Sequence, residues 1–196
     1  MRLFARVHPD ILTITGLGLN GVACTLFALS GGRGYVRPDW LMYGGLVTLG
    51  AAVFDMLDGR VARLRGRSTH FGAYLDSTMD RYSDMVLFMG LLILYARLDR
   101  NGLMVLVWVA AFGSFMTSYA RARAESLIPH CTVGPLERPE RIVLLIIGAL
   151  ANRMVAALWL IAILSNVTAL QRVIYTYVEL RRGWTRPTGD QPPGTN

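Results

Sequence analysis

The feature that most limits how this chain can fold is the recurrence of long apolar stretches along nearly all of its 196 residues. They cover roughly 11–29, 40–54, 71–98, 103–124, 139–151 and 155–180, and only short polar connections separate them. Hydrophobic residues make up 53% of the chain and charged residues 17%, a balance that excludes an ordinary soluble domain. Lipid leaves a spanning backbone few ways to satisfy its hydrogen bonds other than the α-helix. The pattern therefore predicts an all-α, polytopic membrane protein with six transmembrane helices. These form one domain over 1–182, followed by a Pro- and Gly-rich tail over 183–196 that is predicted to be disordered.

The arginines give this bundle a direction. If the amino terminus is cytoplasmic, six spans put Arg60, Arg63, Arg65, Arg67, Arg121, Arg123, Arg138, Arg141, Arg181, Arg182 and Arg186 on that same side. Arg33, Arg37, Arg97, Arg100 and Arg153 fall on the other. The excess predicts that both termini are cytoplasmic. Arg2 and Arg6 precede the first apolar stretch, and no clean small-residue cleavage site follows it, so a retained signal-anchor is expected. All twenty basic residues are Arg, and the formal net charge is +7. Arg suits phosphate oxygens, although GC-rich coding would raise the Arg total equally well. In a membrane chain this charge points to phosphate-bearing lipid or substrate, not to nucleic acid. Cys24 and Cys131 lie in such different contexts that neither a disulfide nor a thiolate metal site is expected.

Against this apolar background, residues 55–80 stand apart. Asp55 and Asp58 are three apart and Asp76 and Asp80 four apart, so each pair shares a helical face. A carboxylate in the apolar part of a membrane helix costs at least ~2.5 kcal/mol on insertion scales. Four at one depth call for a cation, and Asp oxygens are hard ligands suited to Mg²⁺ or Mn²⁺. Two such ions could clamp both oxygens of a phosphoryl displacement. Taken singly, each Asp could instead cap a helix or pair with Arg63 or Arg81. Capping does not require two facing pairs with Gly and Arg between them. Gly59 and Gly72 allow close backbone approach, and Arg63 lies within reach of a phosphate held by the first pair. Asp84 continues the stripe and would support Asp80 or Arg81, and His70 reads as a solvated loop histidine.

The string Asp55-x-x-Asp58-Gly59-x-x-Ala62-Arg63, eight residues, Gly72-x-x-x-Asp76-x-x-x-Asp80 resembles the full signature of the CDP-alcohol phosphotransferases. The resemblance implies two metal ions, Mg²⁺ or Mn²⁺, held by Asp55, Asp58, Asp76 and Asp80, with Asp80 also the general base. It implies that Gly59, Ala62, Arg63 and Gly72 shape the nucleotide and diphosphate pocket. Asp10 and Thr13, in Pro9-Asp10-x-x-Thr13, are similar to a family segment that helps hold the nucleotide. The implied reaction is attack by an alcohol on the lipid-side phosphorus of CDP-diacylglycerol, with CMP leaving. A homodimer is implied as well, and the Gly and Ala in the spans would permit close packing.

A second cluster bears on the alcohol. Ser118, Arg121, Arg141 and Arg172 come from segments that would meet on the cytoplasmic side, where several Arg suit a dianionic phosphate. Positive-inside anchoring accounts for Arg121 and Arg123 but not for the pattern Glu137-Arg138-Pro139-Glu140-Arg141. The set resembles the phosphatidylinositol phosphate and archaetidylinositol phosphate synthases of that family, which implies inositol phosphate as acceptor. Phosphatidylglycerophosphate synthesis is a sibling alternative. A divalent-cation transporter is an alternative of another class, since intramembrane carboxylates also line ion paths.

Overall fold

In the computed structural model the chain folds into six α-helices, and the described residues contain no strand beyond an isolated bridge between Gly31 and Val36. The structure describes residues 9–32, 34–64 and 70–182, with side chains over 15–32, 34–56 and 71–182. The helices are α1 (Pro9–Leu29), α2 (Pro38–Leu64), α3 (His70–Arg97), α4 (Asn101–Glu125), α5 (Arg138–Leu150) and α6 (Met154–Arg181). The predicted tail over 183–196 lies outside the described residues.

Helix α1 packs on α2 and α3, α4 packs on α6 and α3, and α5 lies against α2 and α6. Their shared core holds Phe27, Leu41, Leu87, Leu91, Leu94, Val107, Leu145, Leu158 and Ile161, each no more than 1% exposed. Small residues set the closest approaches. A Cβ on Gly90 of α3 would lie 2.5 Å from the Cys24 carbonyl oxygen of α1, so these two backbones nearly touch there. Large apolar side chains also cover the outside, among them Trp108, Phe112 and Phe115 on α4 and Trp159, Ile163 and Val167 on α6. Both cysteines are free.

Length and hydropathy single out fewer than six of the described helices as spans, and one helix runs past its expected end. Among the described residues, α4 and α6 are the helices long and apolar enough to cross a membrane by length and composition, with a shorter apolar stretch over Thr15–Leu29. Helix α5 has 13 residues, about 20 Å of rise against the ~30 Å of a bilayer's hydrocarbon core. Helices α2 and α3, with 27 and 28 residues, are long enough but carry their carboxylates within the helix. Helix α2 also continues ten residues beyond the expected end at Phe54, through Asp55 and into the Arg-rich segment. Polarity marks where a helix leaves an apolar environment. It does not break the backbone ladder, and the residues from Asp55 to Leu64 include good helix formers.

Three tight connections lie at one end of the bundle, over 30–37, 98–100 and 151–153. Asp99 and Asn152 adopt positive φ in two of them, and Gly34 in the third. The opposite end holds the carboxyl-terminal part of α2, the amino-terminal part of α3, the last turns of α4, the start of α5 and the second half of α6. Every described site residue predicted from sequence falls at that end.

Candidate active site

The four-residue steps of α3 carry Ser77 and Arg81 along one line and Asp76, Asp80 and Asp84 along the next. Asp55 approaches from α2, so that Asp55, Asp76 and Asp80 each offer an oxygen within 4.8 Å of the other two. Three hard oxygen donors at this spacing fit a divalent ion. Asp58, Gly59, Ala62 and Arg63 occupy the last turns of α2, and Asp10 and Thr13 the first turns of α1. The side chains of these six positions lie outside the described residues. Gly72 sits in the first turn of α3.

The start of α5 faces this cluster. Glu137 precedes the helix, its backbone N–H donates to Glu140 Oε2 at 3.0 Å, and Pro139 occupies the first turn. This capped turn aims Arg138 and Arg141 at α3. Arg138 Nη1 lies 2.8 Å from Asp55 Oδ2 and 2.8 Å from Asp80 Oδ1, and its Nε lies 3.3 Å from Asp84 Oδ1. Arg141 Nη2 donates to Asp84 Oδ2 at 2.9 Å. The Asp84 and Arg141 side chains are only 6% and 2% exposed. The Nε and Nη1 of Arg141 are buried without a hydrogen-bond partner among the described residues.

A cavity of about 300 Å³ opens beside these groups. Asp80, Asp84, Arg138, Arg141, Ser118, Arg121, Glu137 and Arg172 all line it. Glu137 Oε1 accepts from Arg121 Nη1 at 2.9 Å and from Arg172 Nη2 at 3.2 Å. Arg172 also donates from Nε to the Val133 carbonyl and from Nη1 to the Thr117 carbonyl, so protein oxygens occupy all three of its nitrogens. Arg121 adds a pair with Glu125 at 2.9 Å. Arg81 donates from Nη1 to the backbone oxygen and the hydroxyl of Ser77, and its Nη2 reaches the Ser118 carbonyl at 3.5 Å. The connection before α5 is pinned where Gly134, at φ +111°, lies against Thr168, whose hydroxyl accepts from the Leu136 N–H at 3.3 Å.

The structure thus brings Asp55, Asp76 and Asp80 together, and it brings Ser118, Arg121, Arg141 and Arg172 around one cavity. Arg138 and Glu137 were missed as site residues, and Asp84 was expected to support Asp80 or Arg81. Among the described side chains Arg138, not Arg81, is the cation that pairs with Asp55 and Asp80, Arg63 lies outside them, and Asp84 joins Arg138 to Arg141. The one signal available was the charge-dense run Glu137 to Arg141, but its partners lie on other helices. Beyond Asp84 the same face of α3 continues with Leu87, Leu91 and Leu94, all buried. The polar line therefore ends at Asp84.

The family model described as CDP-alcohol phosphatidyltransferase matches residues 6–176. An archaetidylinositol phosphate synthase of Methanothermobacter thermautotrophicus is 36% identical over 178 residues, covering 88% of this chain and 84% of that protein. A phosphatidylinositol phosphate synthase of Mycolicibacterium smegmatis is 37% identical over 182 residues, covering 87% and 78%. Among solved structures, the Mycobacterium tuberculosis phosphatidylinositol phosphate synthase with CDP-DAG bound superposes with a TM-score of 0.77 at 30% identity, over 98% of this chain and 94% of that one. Its complex with manganese and citrate gives a TM-score of 0.78 at 31% identity, over 98% and 90%.

Proposed function

The chain belongs to the CDP-alcohol phosphatidyltransferase family, and from that premise we propose that it is an integral-membrane enzyme transferring a phosphatidyl group from CDP-diacylglycerol to a hydroxyl of inositol phosphate. The observation that carries the choice of a phosphorylated acceptor is Arg141. Two of its guanidinium nitrogens are buried without a partner among the described residues, and Arg141 lines a cavity that also reaches the carboxylate cluster. A buried cationic donor left open in this way is matched by an anion such as the acceptor's phosphate. Ser118 and Arg121 line the same cavity and complete the grip. Arg172 contributes mainly by fixing Glu137, and through it Arg121, because its own nitrogens are already engaged.

In this reading Asp80 takes the proton from the attacking hydroxyl. The acceptor oxygen bonds to the lipid-side phosphorus, the bond from that phosphorus to the bridging oxygen breaks, and CMP leaves with the electron pair. Asp55, Asp58, Asp76 and Asp80 are the proposed metal ligands. Bound divalent ions, two of Mg²⁺ or Mn²⁺, supply positive charge that offsets the charge building on the diphosphate. Asp10, Thr13, Gly59, Ala62, Arg63 and Gly72 form the nucleotide side of the pocket.

The membrane arrangement follows the arginines. We place six spans over the domain 1–182, both termini in the cytoplasm and the active site facing the cytoplasm, with a homodimer as the assembly. The short α5 then crosses only in company with its longer neighbours, and the carboxylates of α2 and α3 sit near the membrane face. A transporter is disfavoured, since the polar line on α3 gives way to buried leucines.

The test is CMP release by the purified protein with Mn²⁺ and CDP-diacylglycerol, comparing inositol phosphate, glycerol phosphate and unphosphorylated inositol. Release with inositol phosphate and little with the other two is the expected result. Release with glycerol phosphate alone would reassign the acceptor. Release with free inositol as readily as with its phosphate would remove the role given to Arg141.

A further inference from the structure

Arg138 touches three carboxylates from two helices, and it does so with different nitrogens. Its Nη1 lies 2.8 Å from both Asp55 and Asp80, so a single nitrogen fills the gap between those two carboxylates. The same two residues, with Asp76, bring their oxygens within 4.8 Å of one another. A divalent ion held by Asp55 and Asp80 would need their oxygens at ~2.0–2.1 Å if it were Mg²⁺. A guanidinium nitrogen in contact with both oxygens would overlap it and repel it. The Nε of Arg138 is anchored elsewhere, 3.3 Å from Asp84 Oδ1, and Arg141 holds the other oxygen of Asp84 at 2.9 Å. Arg138 therefore has a fixed point outside the gap, and it lines the open cavity alongside.

We propose that Arg138 is a positioning residue that competes with a divalent cation for the gap between Asp55 and Asp80, and that Asp84 is the anchor about which it turns into the cavity when the cation enters. The guanidinium keeps the two carboxylates together against their mutual repulsion, at a cost in metal affinity. Once displaced it stays on the cavity wall, still paired with Asp84, where it faces phosphate-bearing ligands. This inference rests on Asp55 and Asp80 being metal ligands.

The experiment is Mn²⁺ binding, read from the electron paramagnetic resonance signal of free Mn²⁺, to the purified full chain in detergent without substrate. Arg138→Gln removes the competing charge, and its Mn²⁺ Kd is expected to fall about tenfold or more, because two like charges at contact distance interact strongly even when partly screened. Arg138→Lys keeps the charge and should bind near the wild-type level, a pattern that a merely structural role for Arg138 would not produce. Should Arg138→Gln fail to fold, Arg138→Met removes the charge with a side chain that packs and carries the same expectation. An unchanged or weaker affinity in the neutral variant, with Asp80→Asn weakened as a ligand variant should be, would overturn the competition alone. Mn²⁺ binding that Asp80→Asn leaves untouched would overturn the metal-site reading and this inference with it.

Discussion

Asp84 and Arg141 form a buried pair whose two members differ in what they keep when the other is removed. Arg141 is 2% exposed, its Nη2 donates to Asp84 at 2.9 Å, and its other two side-chain nitrogens have no partner among the described residues. Asp84→Ala therefore leaves a buried guanidinium with no counter-charge, a change that costs about 3–5 kcal/mol. Arg141→Met leaves Asp84 still paired with Arg138 at 3.3 Å, and the expected cost is about 1–3 kcal/mol. For a chain of this size each kcal/mol moves the unfolding midpoint by roughly 2–4 °C. Asp84→Ala should thus lower the apparent Tm in detergent by roughly 6–20 °C, and clearly more than Arg141→Met. The double variant Asp84→Leu with Arg141→Met should regain part of the loss, since it leaves neither charge alone. Inorganic phosphate should raise the Tm of Asp84→Ala more than that of the wild type, because it supplies the missing counter-charge. Equal losses for the two single variants, or an Asp84→Ala loss under about 1 kcal/mol, would refute this account of the pair.

Further expectations concern catalysis and packing. Asp80→Asn should nearly abolish turnover while nucleotide binding measured at equilibrium largely persists, and normal turnover would remove Asp80 as the base. Arg141→Ala should raise the apparent KM for inositol phosphate by roughly 10- to 100-fold with a smaller effect on kcat, since charge-assisted hydrogen bonds contribute about 1.5–3 kcal/mol. An unchanged KM would break the acceptor-pocket assignment. Gly90→Val should lower the melting temperature in detergent. Its Cβ would lie 2.5 Å from the Cys24 carbonyl oxygen and 2.8 Å from the Cys24 Cα, and overpacking of this kind costs about 1–3 kcal/mol.

Much of the carboxylate site was legible because helical geometry turns spacing into position. Residues three or four apart must share a face, so the numbering of Asp76, Asp80 and Asp84 is enough to align them. Ser118, Arg121, Arg141 and Arg172 could be gathered at one end because antiparallel spans alternate direction. What spacing does not encode is which charge meets which. The pairing of Arg138 with Asp55, Asp80 and Asp84 depends on α5 starting beside α3, and the saturation of Arg172 depends on carbonyls of Val133 and Thr117 that no side-chain pattern reveals. Helix α2 ran past its expected end for a related reason: hydropathy reports the solvent around a helix, whereas the helix itself persists while its backbone ladder does.

The most direct test of the central claim follows the lipid-side phosphate. CDP-diacylglycerol labelled with ³²P at that phosphorus would be turned over by the purified protein with inositol phosphate and Mn²⁺. The label is expected in a lipid carrying an inositol phosphate headgroup, with CMP released unlabelled and both products lost when the metal is chelated. Label recovered in phosphatidic acid, with the nucleotide joined to the acceptor, would place the attack at the other phosphorus and contradict the assignment of a phosphatidyl transfer.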